Sequence, residues 1–307
     1  MKYASNRTLP NGDDEDVTKT AHAYWKACLK MRFAYSRNKT RLVSTEREGP
    51  LSVQRAFYPE NSRVAHLYLL HPPAGIVSGD VLNIEAHLQA DNRVLLTTPG
   101  ANRFYRARTA TELASKQKQN NLFFVEKGSS LEYLPHETLI YSAANAFSDT
   151  KVMVRDTGCF MGWDIACLGF PHIDRPFASG QFTQTFSLYH NDTILFHDRL
   201  AVVADDNITR SRIGLNGSHV TGTMVLFNGE KAGQSAWLKS VCNTVRQETQ
   251  EEHQRAEVAV TQIQGVIVIR YLGDESEACR QTFVRIWSAL RAVFIGLAPH
   301  PPRIWYT

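Results

Sequence analysis

Eleven histidines and five cysteines would supply ligands for several metal sites, so metal chemistry is the first possibility to test against these 307 residues. A closed zinc-type site needs clustered donors, such as a Cys-x-x-Cys pair or two His on one helix face. The sequence holds neither. Its closest pairs are His66 and His71, His190 and His197, and Cys159 and Cys167, and none has ligand spacing. A Gly-x-Ser-x-Gly elbow and a Gly-x-x-x-x-Gly-Lys-Ser/Thr phosphate loop are also missing. Two carboxylates facing each other across a cleft could hydrolyse a glycosidic bond. Glu132 and Glu137, flanking Leu134-Pro135-His136, are the candidates for that reading. The plainer reading is two solvated carboxylates near a strand end, the usual fate of Glu.

Two segments stand above this background. The first runs His71-Pro72-Pro73-Ala74-Gly75-Ile76-Val77-Ser78-Gly79-Asp80. Paired prolines, two spaced glycines and an Asp specify a rigid turn between strands. Gly75 and Gly79 suggest positive φ or the close approach of another surface. The second runs Leu95 to Arg106 through Thr98-Pro99-Gly100-Ala101-Asn102. It reads as a buried strand leading into a turn that displays Arg103, Phe104, Tyr105 and Arg106. Tyr and Arg are frequent at binding hot spots. The same alternation could stack on single-stranded nucleic acid, or be a strand end with solvated arginines.

The elements that would position these segments are short and mostly strands. Apolar and polar residues alternate in Ala27–Phe33, Val64–Leu70 and Phe182–Leu188, as one buried sheet face requires. Further strands are expected at Val81–Leu88, Arg93–Thr98, Asn121–Val125, Ser130–Leu134, Lys151–Val154, Phe160–Cys167, Thr193–Leu200 and Val220–Phe227. Turn signals separate them, among them Glu48-Gly49-Pro50 and Asn191-Asp192. No helices lie between successive strands, so the pattern predicts a mainly β, mainly antiparallel body.

The last quarter changes character. Gly233 to about Thr249 reads as a helix, and Val258–Ile263 and Val266–Tyr271 as strands. A second helix is expected to start near Asp274 and Glu277, as in a capping box. Its apolar face would be Cys279, Phe283, Ile286, Trp287, Leu290 and Val293, ending at Gly296. The predicted organisation is a mobile tail over 1–22, a β body over 23–228, and a helix-strand-strand-helix part with a tail over 229–307, packed on the body.

Composition limits the partners. Lys and Arg total 34 against 30 Asp and Glu, a net +4, which does not demand nucleic acid or an anionic membrane. No apolar run approaches the roughly 18 residues of a spanning helix. Residues 1–20 lack the apolar stretch of a secretory signal. An odd cysteine count without Cys-x-x-Cys predicts free thiols in a reducing compartment, hence a cytoplasmic protein.

Taken together, HPPAGIVSGD and LLTTPGANRFYRA resemble the signature of the urease accessory protein UreD (UreH) family. The resemblance continues through GPLSVQRAFYP, YLPHETLIYSAANA, GWDIACLGFP, SGQFTQTFSLY, VIRYLGD and PPRIWYT, in order from about residue 24 to 307. Ala74 and Ser78 depart from that pattern, where glycine is common, as does His136, where glutamine is common. The resemblance implies a β-helix-like stack of sheets with a smaller helical part at the C-terminal end. It implies a non-catalytic role: binding UreF, through it the GTPase UreG, and apo-urease, while helping to load nickel. It further implies a water-filled passage, with nickel in transit and no tightly bound cofactor. Such a path must not hold its ion too firmly, which suits scattered oxygen ligands better than a Cys/His cage. The polar residues near the matched motifs are His71, Asp80, His136, Glu137, Asp164 and Asp174. The Arg103–Arg106 turn and the Trp305-Tyr306 tail are the candidate partner surfaces, since an exposed terminal Trp-Tyr would be expected to dock somewhere.

Overall fold

The computed structural model describes residues 25–60, 63–108, 116–170, 173, 175–250 and 256–306. The expected tail over 1–22 lies outside the described residues. Two sheets dominate. The first contains β1 (Lys26–Ser36), β2 (Lys39–Glu48), β5 (Val81–Leu88), β8 (Gln117–Val125), β11 (Ala144–Val154), β14 (Gly180–His190) and β15 (Thr193–Val203). The second is built on β3 (Ser52–Val53), β4 (Val64–Leu70), β6 (Arg93–Thr97), β9 (Ser130–Tyr133), β12 (Cys159–Phe170), β16 (Val220–Asn228), β17 (Glu257–Ile263) and β18 (Val266–Gly273). Three short strands attach to it: β7 (Asn102–Phe104), β10 (Thr138–Ile140) and β13 (Arg175–Pro176).

The strand orders are β15-β14-β11-β8-β5-β1-β2 and β17-β18-β16-β12-β9-β6-β4-β3. The expectation of mainly antiparallel pairing is overturned. β1, β5, β8, β11 and β14 run parallel to one another, and so do β4, β6, β9 and β12. Antiparallel pairs are confined to the margins, where β2, β15, β16, β18, β17 and β3 join. Parallel neighbours need a long crossover, usually a helix. Here the chain crosses to the facing sheet and back, so the crossover is itself a strand, as β5 is between β4 and β6. That is a β-helical coil, and the fold is mainly β with a small helical part, as the resemblance implied. Period-two alternation records only that each strand has two faces, so it cannot report the direction of a neighbour.

The apolar residues form two cores. One fills the space between the sheets and includes Leu29, Phe33, Leu67, Leu96, Phe123, Phe182 and Phe227. The other lies between the second sheet and two helices, α1 (Ser235–Glu248) and α2 (Ser276–Ile295). β12 is therefore covered on both faces, which explains its almost unbroken burial. The C-terminal strands do not form a separate layer, because β18 pairs directly with β16 of the body.

Helix α2 buries Cys279, Phe283, Ile286, Trp287 and Leu290 as the 3.6-residue period predicts, and ends at Gly296 with φ +69. Val293 is exposed and Phe294 takes its place in the core. The expected capping box is absent. Glu275 is the N-cap, without a side-chain cap bond, while Asp274 accepts the backbone N–H of His219 and Glu277 pairs with Arg280. Gly222 on β16 lets α2 approach. A Cβ there would lie 2.6 Å from Cys279 Sγ and 2.8 Å from the Phe283 ring. Gly222→Ala is expected to cost about 1–3 kcal/mol by overpacking, read as a lower urea midpoint with an unchanged slope.

Candidate functional site

The two motif segments meet in space. Ile76 and Phe104 form a parallel bridge. The Ile76 N–H donates to Arg103 O at 2.7 Å, and the Tyr105 N–H to Ile76 O at 3.0 Å. Each glycine has a reason. A Cβ on Gly75 would fall 2.2 Å from a Tyr105 ring carbon, and Gly79 holds φ +87. Ala74 is held at φ +60. Asp80, 5 % exposed, accepts the Val77 N–H at 3.0 Å and so closes the turn.

Beside this junction lies a cavity of about 290 Å³. His71, the Thr98–Arg103 turn and His136 form its rim. Its inner wall brings Gln119 and Ser148 from the first sheet opposite Tyr133 and Asp164 from the second. Leu51, Leu69, Leu82 and Ile84 also line it, so the wall is largely apolar with these polar side chains let into it. Strand register sets Gln119, Ser148 and Gln184 side by side on β8, β11 and β14, with Asn121 beside Thr150 two residues further along. Three of them, Gln119, Asn121 and Thr150, join one line of hydrogen bonds that starts at Asn102. Asn102 Nδ2 donates to Gln119 Oε1 (2.7 Å), Gln119 Nε2 to Asn121 Oδ1 (3.3 Å), and Asn121 Nδ2 to Thr150 Oγ1 (3.0 Å). Thr150 Oγ1 then donates to Asp164 Oδ2 at 3.3 Å. A hydrogen-bonded line thus runs from the rim to a carboxylate deep in the coil. Buried polar groups are tolerable only when paired in this way.

Asp164 also lines a second cavity of about 40 Å³, with Gln184, Asp198, Thr221, Thr223 and Arg270 among its other walls. Register places Asp164, Thr223 and Arg270 side by side on β12, β16 and β18. The two cavities therefore follow each other across the strands, which is along the axis of the coil. At the outer side Arg270 Nη1 meets Asp198 Oδ2 at 2.8 Å.

Charge at the site follows from burial. Desolvation pushes the Asp164 carboxyl up to about 7, against the hydrogen bond from Thr150. Burial pushes His71 below the ordinary imidazole value, against the field of Asp80. His71 Nδ1 and His136 Nε2 have no protein hydrogen-bond partner among the described residues. For Glu137, burial would raise the carboxyl, but the His136 hydrogen bond, a backbone hydrogen bond and the charges of His136 and Arg280 together outweigh it, and the value falls. No group of three or more His, Cys, Asp or Glu among the described residues is placed to hold a metal.

Of the six polar candidates, His71, His136 and Asp164 line the large cavity. Glu137 lies beside His136, with 3.8 Å between carboxylate and ring nitrogen. Asp80 is a turn former, and Asp174 lies outside the described residues. Sequence reasoning missed Gln119, Asn121, Ser148, Thr150 and Gln184. Their signal was Gln119-x-Asn121 and Ser148-x-Thr150: polar side chains at alternate positions, on the face that the neighbouring apolar residues mark as inward.

Other expectations need correction. Phe104 is wholly buried, so the turn presents Arg103, Tyr105 and Arg106 but only one of its two aromatics. Arg103 donates to Ala74 O at 3.3 Å and Tyr105 packs on Tyr141 at 5.0 Å. Trp305 is only 9 % exposed. Its ring packs 6.0 Å from those of Trp163 and Trp287, and its Nε1 donates to Thr97 Oγ1, so the tail docks on its own chain. Tyr306 is the exposed member of the pair. Glu132 is 1 % exposed and bound to Trp287 and Arg291 on the helix side, whereas Glu137 engages His136. These carboxylates take separate partners and do not form a hydrolytic pair.

The class of fold is thus a β-helical coil that carries a line of polar side chains through an otherwise apolar core. Comparison with known proteins makes the class specific. A family model described as UreD urease accessory protein matches residues 26–306. Urease accessory protein UreD of Psychromonas ingrahamii is 37% identical over 298 residues, 95% of this chain and 97% of that one. Its namesake in Marinomonas sp. is 35% identical over 288 residues, covering 92% and 90%. That of Methylobacillus flagellatus is 32% identical over 297 residues, covering 96% and 100%. The chain belongs to the UreD family of urease accessory proteins, and it assists an enzyme rather than being one.

Proposed function

We propose that this chain serves urease maturation as a cytoplasmic scaffold that binds UreF, through it UreG, and apo-urease, and that nickel passes through its coil as cargo. The observation that carries the reading is the polar line from Asn102 to Asp164, with Asp164 common to both cavities. Amide and hydroxyl oxygens are weak, hard ligands, suited to a hydrated divalent ion that must move on. Asp164 contributes the strongest of these oxygens, and a carboxyl near 7 is only partly ionised at neutral pH, so its hold is loose. No helix among the described residues is long and apolar enough to cross a membrane.

Ser148→Trp would fill the large cavity from its inner wall. Urease co-expressed with this variant is expected to carry at least tenfold less nickel by metal analysis, while UreF and UreG still co-purify with the chain. Normal nickel content with a folded variant would overturn conduction. Loss of co-purification by the parent chain would overturn the scaffold.

A further inference from the structure

The small cavity is closed in a way that the large one is not. Its outer wall includes the Asp198–Arg270 ion pair, which joins β15 of one sheet to β18 of the other. Arg270 is 51% exposed and Asp198 23%, so one face of the pair meets solvent while the other faces the cavity shared with Asp164. A guanidinium is a permanent cation and cannot shed its charge. Left in place, it repels a divalent cation and occupies the carboxylate that could receive one. The pair is also weak, because half-exposed ion pairs contribute little to stability and exchange partners readily. Its bond is a single contact rather than a bidentate fork.

We propose that Asp198 and Arg270 form a displaceable gate on the narrow mouth, opened when a docking partner offers Arg270 a carboxylate of its own. The exchange trades one guanidinium–carboxylate pair for another, so it costs little. It swings the cation out of the path and leaves Asp198 facing inward as an oxygen ligand next to Thr223 and Asp164. The partner surface that fits is therefore acidic at this mouth. This inference rests on the conduit reading for its purpose but not for its test.

The test follows access to the small cavity. Thr223→Cys, in a Cys28→Ser background of the full-length chain, places a thiol on the cavity wall behind the gate. Its rate of modification by an ammonium-bearing methanethiosulfonate is measured with Arg270 intact and with Arg270→Ala or Arg270→Gln, each checked for an unchanged melting profile. Opening the gate is expected to raise the rate at least tenfold in both variants. Poly-L-glutamate is expected to raise it severalfold when Arg270 is present and not in Arg270→Ala. Equal rates with and without Arg270 overturn the gate, and no response to poly-L-glutamate overturns the acidic opener. Either result leaves the nickel assay on Ser148→Trp standing. Normal loading by that plugged chain overturns the conduit without changing the labelling rates.

Discussion

Replacing Arg291 by alanine is expected to lower the unfolding free energy by about 3–5 kcal/mol, the usual loss when one partner of a buried ion pair is removed. Arg291 projects from α2 into the interior and is fully buried. Its five N–H donors are all engaged. Nε and Nη2 meet the Glu132 carboxylate at 2.8 and 2.9 Å, Nη1 and Nη2 meet Glu60 at 2.6 and 2.7 Å, and Nη1 also reaches Ala298 O. Trp287 Nε1 donates to Glu132 as well (2.7 Å), and His66 Nε2 lies 2.6 Å from Glu60. Truncation strands Glu132 at 1 % exposure with only the indole as donor. Burial alone would raise the Glu60 carboxyl, but the bonds from His66 and Arg291 outweigh it and hold it at about 2. A carboxyl depressed in the folded state stabilises above its unfolded value near 4.5, and that stability is lost as pH falls toward 2. Urea denaturation of Arg291→Ala, Glu132→Gln and the double variant measures the coupling. A loss below about 1 kcal/mol for Arg291→Ala would mean that the pair is hydrated and that the helix is held by apolar contact alone.

This network was invisible in the sequence, and the reason is physical. Arg291 and Glu132 are 159 positions apart, and Arg291 and Glu60 are 231 apart. Neither carboxylate sits at a spacing that distinguishes it from a solvated Glu. Arg291 interrupts the apolar stripe of α2 as an ordinary charged residue would. What could be read was local: strand faces from alternation, the stripe of α2 from Cys279 to Leu290, and the Gly296 stop. Gly75 and Gly79 were also readable, because their backbone demands are written in residue type. Strand direction was not readable, because it depends on where the chain crosses between sheets. The polar line was half readable. His71, His136 and Asp164 stood near recognisable motifs, whereas Asn121 and Thr150 look like any strand polar residue until the register sets them side by side. Trp305 shows the opposite error. An aromatic tail reads as a docking surface, but the slot between Trp163 and Trp287 that receives it exists only after folding.

Asp164→Asn is expected to stabilise the protein at pH 8 by about 2–4 kcal/mol and to leave it nearly unchanged at pH 4. Burial holds the folded carboxyl at about 7, against an ordinary value of 3.8. The sign is the reverse of that for Glu60. Well below the ordinary value of 3.8 the carboxyl is neutral in both folded and unfolded chains, and folding carries no penalty. As pH rises from 4 to 7 the unfolded chain ionises while the folded one resists, so stability falls, and it levels off above 7. A gap of about three pKa units corresponds to roughly 4 kcal/mol. Water reaching Asp164 through the two cavities reduces that figure toward 2, since hydration relieves the desolvation. Asparagine keeps the shape and can still accept the Thr150 hydroxyl. Paired urea titrations at pH 4, 6 and 8 measure the effect, and a difference independent of pH would mean that Asp164 ionises as an ordinary surface carboxylate. The same variant loses the one carboxylate common to both cavities, so the more stable chain is expected to load less nickel into urease. Less nickel in urease from a chain that is more stable would separate the proposed transit role of Asp164 from any role in packing.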